Sequence, residues 1–118
     1  MRLLSINDLK RNKSFIKDIR WDVTPKIFMS PSITRSGSGE GINVTKGYML
    51  YVDLVSDRPV LVIMQLKQNM SQTVGYISGV PVELLRESMQ CSGPDCISGM
   101  YPLSGNLEAW LKNEFGVS

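Results

Sequence analysis

The hydrophobic pattern is clearest in the centre of the chain, where two apolar runs rich in β-formers follow each other. The runs YMLYVDLV at 48–55 and VLVIMQLK at 60–67 have the length and composition of strands. Between them, the segment 56–59 contains Asp57, which favours a turn, and Pro59, which cannot donate to a strand ladder. The pattern therefore predicts a β-hairpin with a four-residue loop at 56–59.

Alternation along the hairpin predicts one wholly apolar face and one mixed face, because successive strand residues point to opposite sides. The apolar face is predicted to form the core with Tyr48, Leu50, Val52, Leu54, Val60, Val62, Met64 and Leu66. The mixed face contains Asp53, which we expect to point toward solvent, and the apolar residues Met49, Tyr51, Val55, Leu61 and Ile63. Such an apolar patch is large for an exposed surface, so another part of the chain, such as the N-terminal helix, or another molecule must cover it.

Helical spacing and capping signals flank this hairpin. A helix is predicted over about 6–18, where Ser5 precedes apolar residues at helical spacing. Residues 26–29 are expected to form a short strand, and Thr73–Ile77 a further strand. A second helix is predicted over Val82–Met89, after Pro81. The last helix follows Ser104, ends at Gly116, and has the apolar positions Leu107, Trp110, Leu111 and Phe115.

The order of these elements predicts the fold class. Strands are followed by helices without βαβ alternation, which favours an α+β fold. We expect a small antiparallel sheet, made of the central hairpin 48–67 and short strands, packed against two or three helices. The 118 residues suit a single globular domain.

A glycine- and serine-rich segment at about 34–46 interrupts the apolar pattern and predicts a flexible loop. An alternative is that it binds a small anionic ligand, through Arg35, Gly37, Gly39, Gly41 and Lys46. A dinucleotide site requires its glycines to lie between a strand and a helix, but these glycines precede a predicted strand. The Walker sequence of a phosphate-binding loop is also missing. The flexible loop is therefore the favoured interpretation.

Charge and hydropathy limit the classes of partner. The net charge is +2, and the basic residues concentrate in the segment 1–26, which could contact phosphate or an acidic partner. Nucleic-acid sites are usually much more basic than this, so a solvated helix face is the favoured interpretation. No apolar run approaches the roughly 20 residues of a membrane span. The N-terminus lacks the apolar stretch of a signal peptide, so we expect a cytoplasmic protein.

The chain contains no histidine, which excludes Ser-His-Asp and Cys-His arrangements and removes the most frequent zinc-hydrolase ligand. We therefore predict no catalytic residue and no cofactor. The missing catalytic arrangement favours a protein that is not an enzyme.

Both cysteines, Cys91 and Cys96, flank a Gly-Pro turn in the segment CSGPDC. The C-x4-C spacing differs from that of thioredoxin-like proteins, and two thiolates do not complete a tetrahedral zinc site. A reversible disulfide or a zinc site shared across a dimer remains open. Inert reduced thiols are the favoured interpretation for a cytosolic chain.

These observations lead to a first functional hypothesis. The chain is predicted to be a non-enzymatic cytoplasmic module that binds a protein partner or self-associates through the mixed sheet face. A thiol-based redox or metal-binding protein, using Cys91 and Cys96, is the alternative. Binding of a small anionic ligand by the glycine-rich loop comes third.

Overall fold

The structure is a computed structural model that describes residues 2–29, 45–68, 70–90 and 99–117. These residues form four strands and five helices. In chain order they are β1 (Arg2–Ser5), α1 (Ile6–Lys10), α2 (Lys13–Lys17), α3 (Pro25–Met29), β2 (Tyr48–Val55), β3 (Arg58–Gln65), β4 (Gln72–Ser78), α4 (Val82–Met89) and α5 (Gly105–Phe115). The predicted α+β class with a small sheet is confirmed.

The four strands form one sheet in the order β1-β4-β3-β2. β2, β3 and β4 form an antiparallel meander, while β1 pairs with β4 in parallel. The sheet is therefore mixed, and β1 is a strand that the hydrophobic pattern did not predict. It has only four residues and leads directly into α1, so it offers too short a stretch for alternation to be visible.

The central hairpin has a two-residue turn, so the predicted four-residue loop is wrong. Ser56 and Asp57 both have positive φ, of 51° and 63°, as a type I′ turn requires. Pro59 lies within β3 opposite Leu54, beyond the last β3–β4 pair at Leu61. Its missing N–H is therefore not needed by β4.

The register of the hairpin corrects the predicted faces. Leu50 lies opposite Ile63, and Tyr51 lies opposite Val62. A turn with an even number of residues pairs even positions of β2 with odd positions of β3, and directly opposed residues share a face. The predicted grouping of even positions from both strands is therefore wrong. Leu54, predicted to be in the core, is exposed.

The first face of the sheet packs against α1, α2, α4 and α5. The buried residues of this first core are Ile6, Leu9, Phe15, Ile16, Ile19, Leu50, Val52, Leu61, Ile63, Ile77, Leu85, Leu107, Leu111 and Phe115. Each fully buried aliphatic side chain contributes about 1.5–3 kcal/mol, so this cluster is the main source of stability.

The predicted helix over 6–18 is divided into α1 and α2. The Asn12 side chain accepts a hydrogen bond from the Phe15 backbone N–H at 3.1 Å and so begins a new helix. The division places the Phe15 ring 5.0 Å from the ring of Tyr48 and 6.2 Å from that of Phe115. An aromatic contact to the sheet and to α5 thus accompanies the break.

The predicted strand at 26–29 is wrong, because Pro25–Met29 is the helix α3. Pro25 is its first residue, a position where the missing N–H is not needed. The predicted strand at 73–77 and the predicted helix at 82–89 are confirmed, as β4 and α4. The last helix is confirmed as α5, which ends at Gly116 in the left-handed conformation.

Candidate interaction surface

The five residues predicted to form one apolar patch on the mixed face do not form one. Met49 and Leu61 are 0% exposed, Ile63 is 1% exposed and Tyr51 is 6% exposed, while Val55 is half-buried. Leu61 and Ile63 belong to the first core, whereas Met49 and Tyr51 lie on the opposite face. Leu61 and Ile63 were assigned to the wrong face of the sheet, whereas Met49 and Tyr51 lie on the expected face but are covered by other residues of the chain.

The second face of the sheet is partly covered by the same chain, through the segment around α3. Its buried residues form a second core of Val23, Met49, Tyr51, Val62 and Leu66. Ile27 and Phe28 from α3, together with Met100, pack against this core. The N-terminal helix, one of the covers suggested by the sequence, lies on the first face instead, as α1 and α2.

One row of residues crosses the second face from β2 to β1. Tyr51 lies opposite Val62, Val62 opposite Tyr76, and Tyr76 opposite Leu3, so all four point to the same side. We call these four residues the cross-strand row. The exposed fraction is 6% at Tyr51 and 1% at Val62, whereas Tyr76 is half-buried and Leu3 is 69% exposed. The cross-strand row is therefore buried on β2 and β3 and becomes exposed to solvent at β1.

Burial on the second face favours the neutral form of Tyr51. Burial raises the pKa of the Tyr51 phenol above its usual value, and the negative charge of Asp53 raises it further. A hydrogen bond with the Thr73 side chain acts in the opposite direction. The buried Tyr51 hydroxyl is therefore neutral at neutral pH, with the Thr73 side chain as its hydrogen-bond partner.

The two edges of the sheet differ. On the β2 edge, the Tyr48 backbone N–H donates to the Asp18 carbonyl at 3.0 Å, and its own carbonyl accepts from Arg20 at 2.7 Å. Val52 and Tyr101 exchange two backbone hydrogen bonds further along, of 2.9 and 2.8 Å. No described segment pairs with the outer side of β1. Among the described residues, one edge of the sheet is thus paired and the other is not.

The backbone of β1 approaches β4 closely on the side where the two strands pair. A Cβ added at Gly75 would lie 2.4 Å from the Arg2 carbonyl oxygen, so only glycine allows this approach. The Ser78 hydroxyl donates a hydrogen bond to the Leu4 carbonyl at 3.3 Å. The edge strand is therefore held in place by its neighbour.

A small cavity beside Trp21 is a second candidate site. Its volume is about 40 Å³, and it lies between residues 19–25 and the segment that leads into α5. The Arg20 side chain binds both oxygens of Asp22 at 3.0 Å and lowers the pKa of that carboxyl group. The Lys112 ammonium lies 5.3 Å from the centre of the Trp21 ring. Lys112 also forms an ion pair with Glu108 at 3.1 Å, so these charges have partners within the chain and a structural role is favoured.

The remaining predicted sites fall mostly on residues outside the described ranges. Cys91 and Cys96 lie there, as do Arg35, Gly37, Gly39 and Gly41 of the predicted ligand loop. Lys46 is described and exposed, and its carbonyl accepts a hydrogen bond from the Arg20 guanidinium at 3.1 Å. The thiol and ligand-loop hypotheses therefore stay predictions.

The described residues add two limits on the kind of site. Within the ranges that the structure covers, no group of three or more His, Cys, Asp or Glu side chains is placed to hold a metal ion. In the same ranges, no helix combines the length and the apolar character that crossing a membrane requires.

Comparison of the chain with protein-family models, curated proteins and solved structures gave no match. The open end of the cross-strand row is thus a candidate surface on geometric grounds. Sequence reasoning singled out Tyr51 from this row but missed Leu3 and Tyr76. The only apolar residues of β1 are Leu3 and Leu4, too few for alternation to indicate a strand.

Proposed function

We propose that this chain is a non-enzymatic protein-interaction module that binds an extended segment of a partner protein along the outer edge of β1. One observation carries the proposal. The cross-strand row is buried at Tyr51 and Val62 but exposed at Leu3, on a strand whose outer side pairs with no residue in the described ranges. We place this function in the cytoplasm, as the sequence predicts.

An open strand and an exposed apolar side chain together suit the addition of a strand from another chain. Backbone groups of an edge strand supply hydrogen bonds to an added strand, and alternate side chains supply specificity. Leu3 and the half-buried Tyr76 would contact the added strand and its neighbour on the second face. Tyrosine is among the residue types enriched at the centre of protein interfaces.

The pairing on the outer side of β2 also favours β1 as the edge where a strand is added. Bridges at Ile19 and Tyr101 already occupy part of the outer side of β2. An incoming strand would have to displace these pairs, whereas β1 offers backbone groups that no described residue uses. The β1 edge is therefore the more accessible of the two.

The proposal is tested by comparing partner capture by Leu3→Glu with capture by a matched control, Val82→Glu. Val82 is 40% exposed on α4, on the opposite side of the sheet from the cross-strand row, so the control adds the same charge elsewhere. Each chain is immobilised and exposed to cell extract supplemented with untagged wild-type chain, and the retained proteins, including the untagged chain, are quantified by mass spectrometry. We expect proteins that wild type and Val82→Glu retain but Leu3→Glu loses at least tenfold. Equal capture by the two variants, with unchanged circular dichroism, would refute the proposal.

A further inference from the structure

We infer that the partner segment is β1 of a second copy of this chain, paired antiparallel across a two-fold axis. This inference rests on the proposed function and names its partner. Strand β1 of one copy would lie beside β1 of the other, with Leu4 of both copies at the axis. The two four-stranded sheets would then form one continuous sheet of eight strands.

The geometry of the strand permits this arrangement. An axis perpendicular to the sheet keeps the first faces of both copies on one side and the second faces on the other. Directly opposed residues share a face, so Leu4 can oppose Leu4 and Leu3 can oppose Ser5 of the second copy. Leu4 packs on the first core, and Leu3 points to the second face. Each side chain therefore stays on the face that it already occupies.

Charge complementarity supports a second copy over an unrelated strand. Arg2 and Asp8 stand at the two ends of the β1–α1 junction, are both exposed and carry opposite charges. Neither forms an ion pair within the described ranges, whereas nearby Lys10 pairs with Glu114 at 3.4 Å.

In the proposed register, Arg2 lies opposite Ile6 of the second copy, at the start of α1. The Arg2 guanidinium can then reach Asp8 in the first turn of that helix. The two-fold axis generates this pair twice, so that one pair of residues makes two reciprocal contacts.

The length of β1 limits the strength of the dimer. A four-residue strand supplies few backbone hydrogen bonds, and the interface belongs to the small, transient class. We therefore expect a reversible dimer with a dissociation constant in the range of roughly 1–100 µM. The ion pairs are exposed, so added salt should weaken the association.

Sedimentation velocity over this concentration range tests the inference with charge-reversal variants. Arg2→Asp and Asp8→Arg should each weaken dimerisation at least tenfold, because each places like charges across the axis. The double variant Arg2→Asp/Asp8→Arg should recover it, since both pairs return with reversed signs. An equimolar mixture of the two single variants should also associate, because their heterodimer contains only attractive pairs. Arg86→Asp, at an exposed position on α4, is the matched control and should dimerise like wild type.

Several results would overturn the inference. A wild-type chain that stays monomeric throughout excludes the second copy as partner. Equal weakening by Arg86→Asp assigns the effect to net charge, and failure of the double variant and of the mixture to recover excludes the Arg2–Asp8 pairing. A monomeric wild type that still loses captured proteins on Leu3→Glu retains the proposed function and refutes only the inference. If Leu3→Glu weakens neither self-association nor capture, both the proposed function and the inference are refuted.

Discussion

Leu3 lies directly opposite Tyr76 in the parallel pair of β1 and β4, and both side chains point to the second face of the sheet. The pair marks the place where the covered part of this face ends. Tyr76 is half-buried and Leu3 is largely exposed, while their neighbour Val62 is fully buried. An apolar row thus leads from the second core to an open strand edge, and the proposed interaction depends on that continuity.

The seating of β1 is tested by Gly75→Ala. The added methyl group would meet the Arg2 carbonyl oxygen at 2.4 Å, and a backbone atom cannot move aside without displacing the strand. We expect a loss of about 1–3 kcal/mol in the free energy of unfolding, measured by denaturant titration, and faster exchange of the β1 amides. Gly105→Ala is the matched control, because nothing lies within 4 Å of the added methyl group. It should be neutral or stabilise by up to about 1 kcal/mol, and equal effects of both changes would exclude the close approach.

The two-residue hairpin turn is tested by replacing Ser56-Asp57 with Asn-Gly. Both positions have positive φ, which asparagine and glycine adopt with less strain than serine and aspartate. We expect the free energy of unfolding to rise by about 0.5–1 kcal/mol. The β-branched change Asp57→Val should instead destabilise the hairpin. A longer loop would make both changes nearly neutral, and that result would contradict the observed register.

The same substitution by lysine should unfold the chain at the buried Ile63 but leave it folded at the exposed Leu3. Ile63→Lys would bury an unpaired ammonium in the first core, where Ile63 is 1% exposed. We expect a loss of more than about 4 kcal/mol, sufficient to unfold a marginally stable domain. Leu3→Lys should keep the native circular dichroism and melting temperature. A folded Ile63→Lys chain would mean that β3 presents its other face to the helices.

The raised pKa of Tyr51 predicts how stability changes at high pH. The folded state keeps the phenol neutral while the unfolded state ionises it at about pH 10. Tyr51 therefore contributes stability that is fully present below about pH 10 and decreases as the pH rises toward its higher folded pKa. Tyr51→Phe removes this contribution, so the free energy of unfolding of the variant should fall less steeply above about pH 10. Parallel curves for the two chains would contradict the burial of this hydroxyl.

Much of the fold was predictable from local signals. The apolar runs of the hairpin, the spacing of α4 and the glycine that ends α5 each determine an element largely by themselves. The register of the hairpin was not predictable in the same way. Ser56 and Asp57 adopt a type I′ turn without the glycine that normally indicates one, so the sequence favoured a longer loop.

The missed elements are those that tertiary contacts decide. Asn12 divides a continuous apolar period, because capping α2 allows Phe15 to reach Tyr48. β1 has no period of its own and becomes a strand because β4 offers it a partner and Gly75 allows it to approach. For the candidate surface, sequence reasoning selected Tyr51 correctly as a residue of the second face but assigned Leu61 and Ile63 to the same side. Only the register joins Tyr51 to Tyr76 and Leu3.

The most direct measurement of an interaction through the β1 edge is an amide spectrum of the ¹⁵N-labelled chain during titration with excess unlabelled chain. Strand addition alters the hydrogen bonding of the edge amides before it affects the rest of the sheet. We expect the largest shift changes at Leu3, Leu4, Ser5 and Tyr76, with the amide of Val52 on the closed edge unchanged. The Leu3→Glu chain should show none of these changes. Shift changes centred on the β2 edge, or association without any change in β1, would contradict the proposed surface.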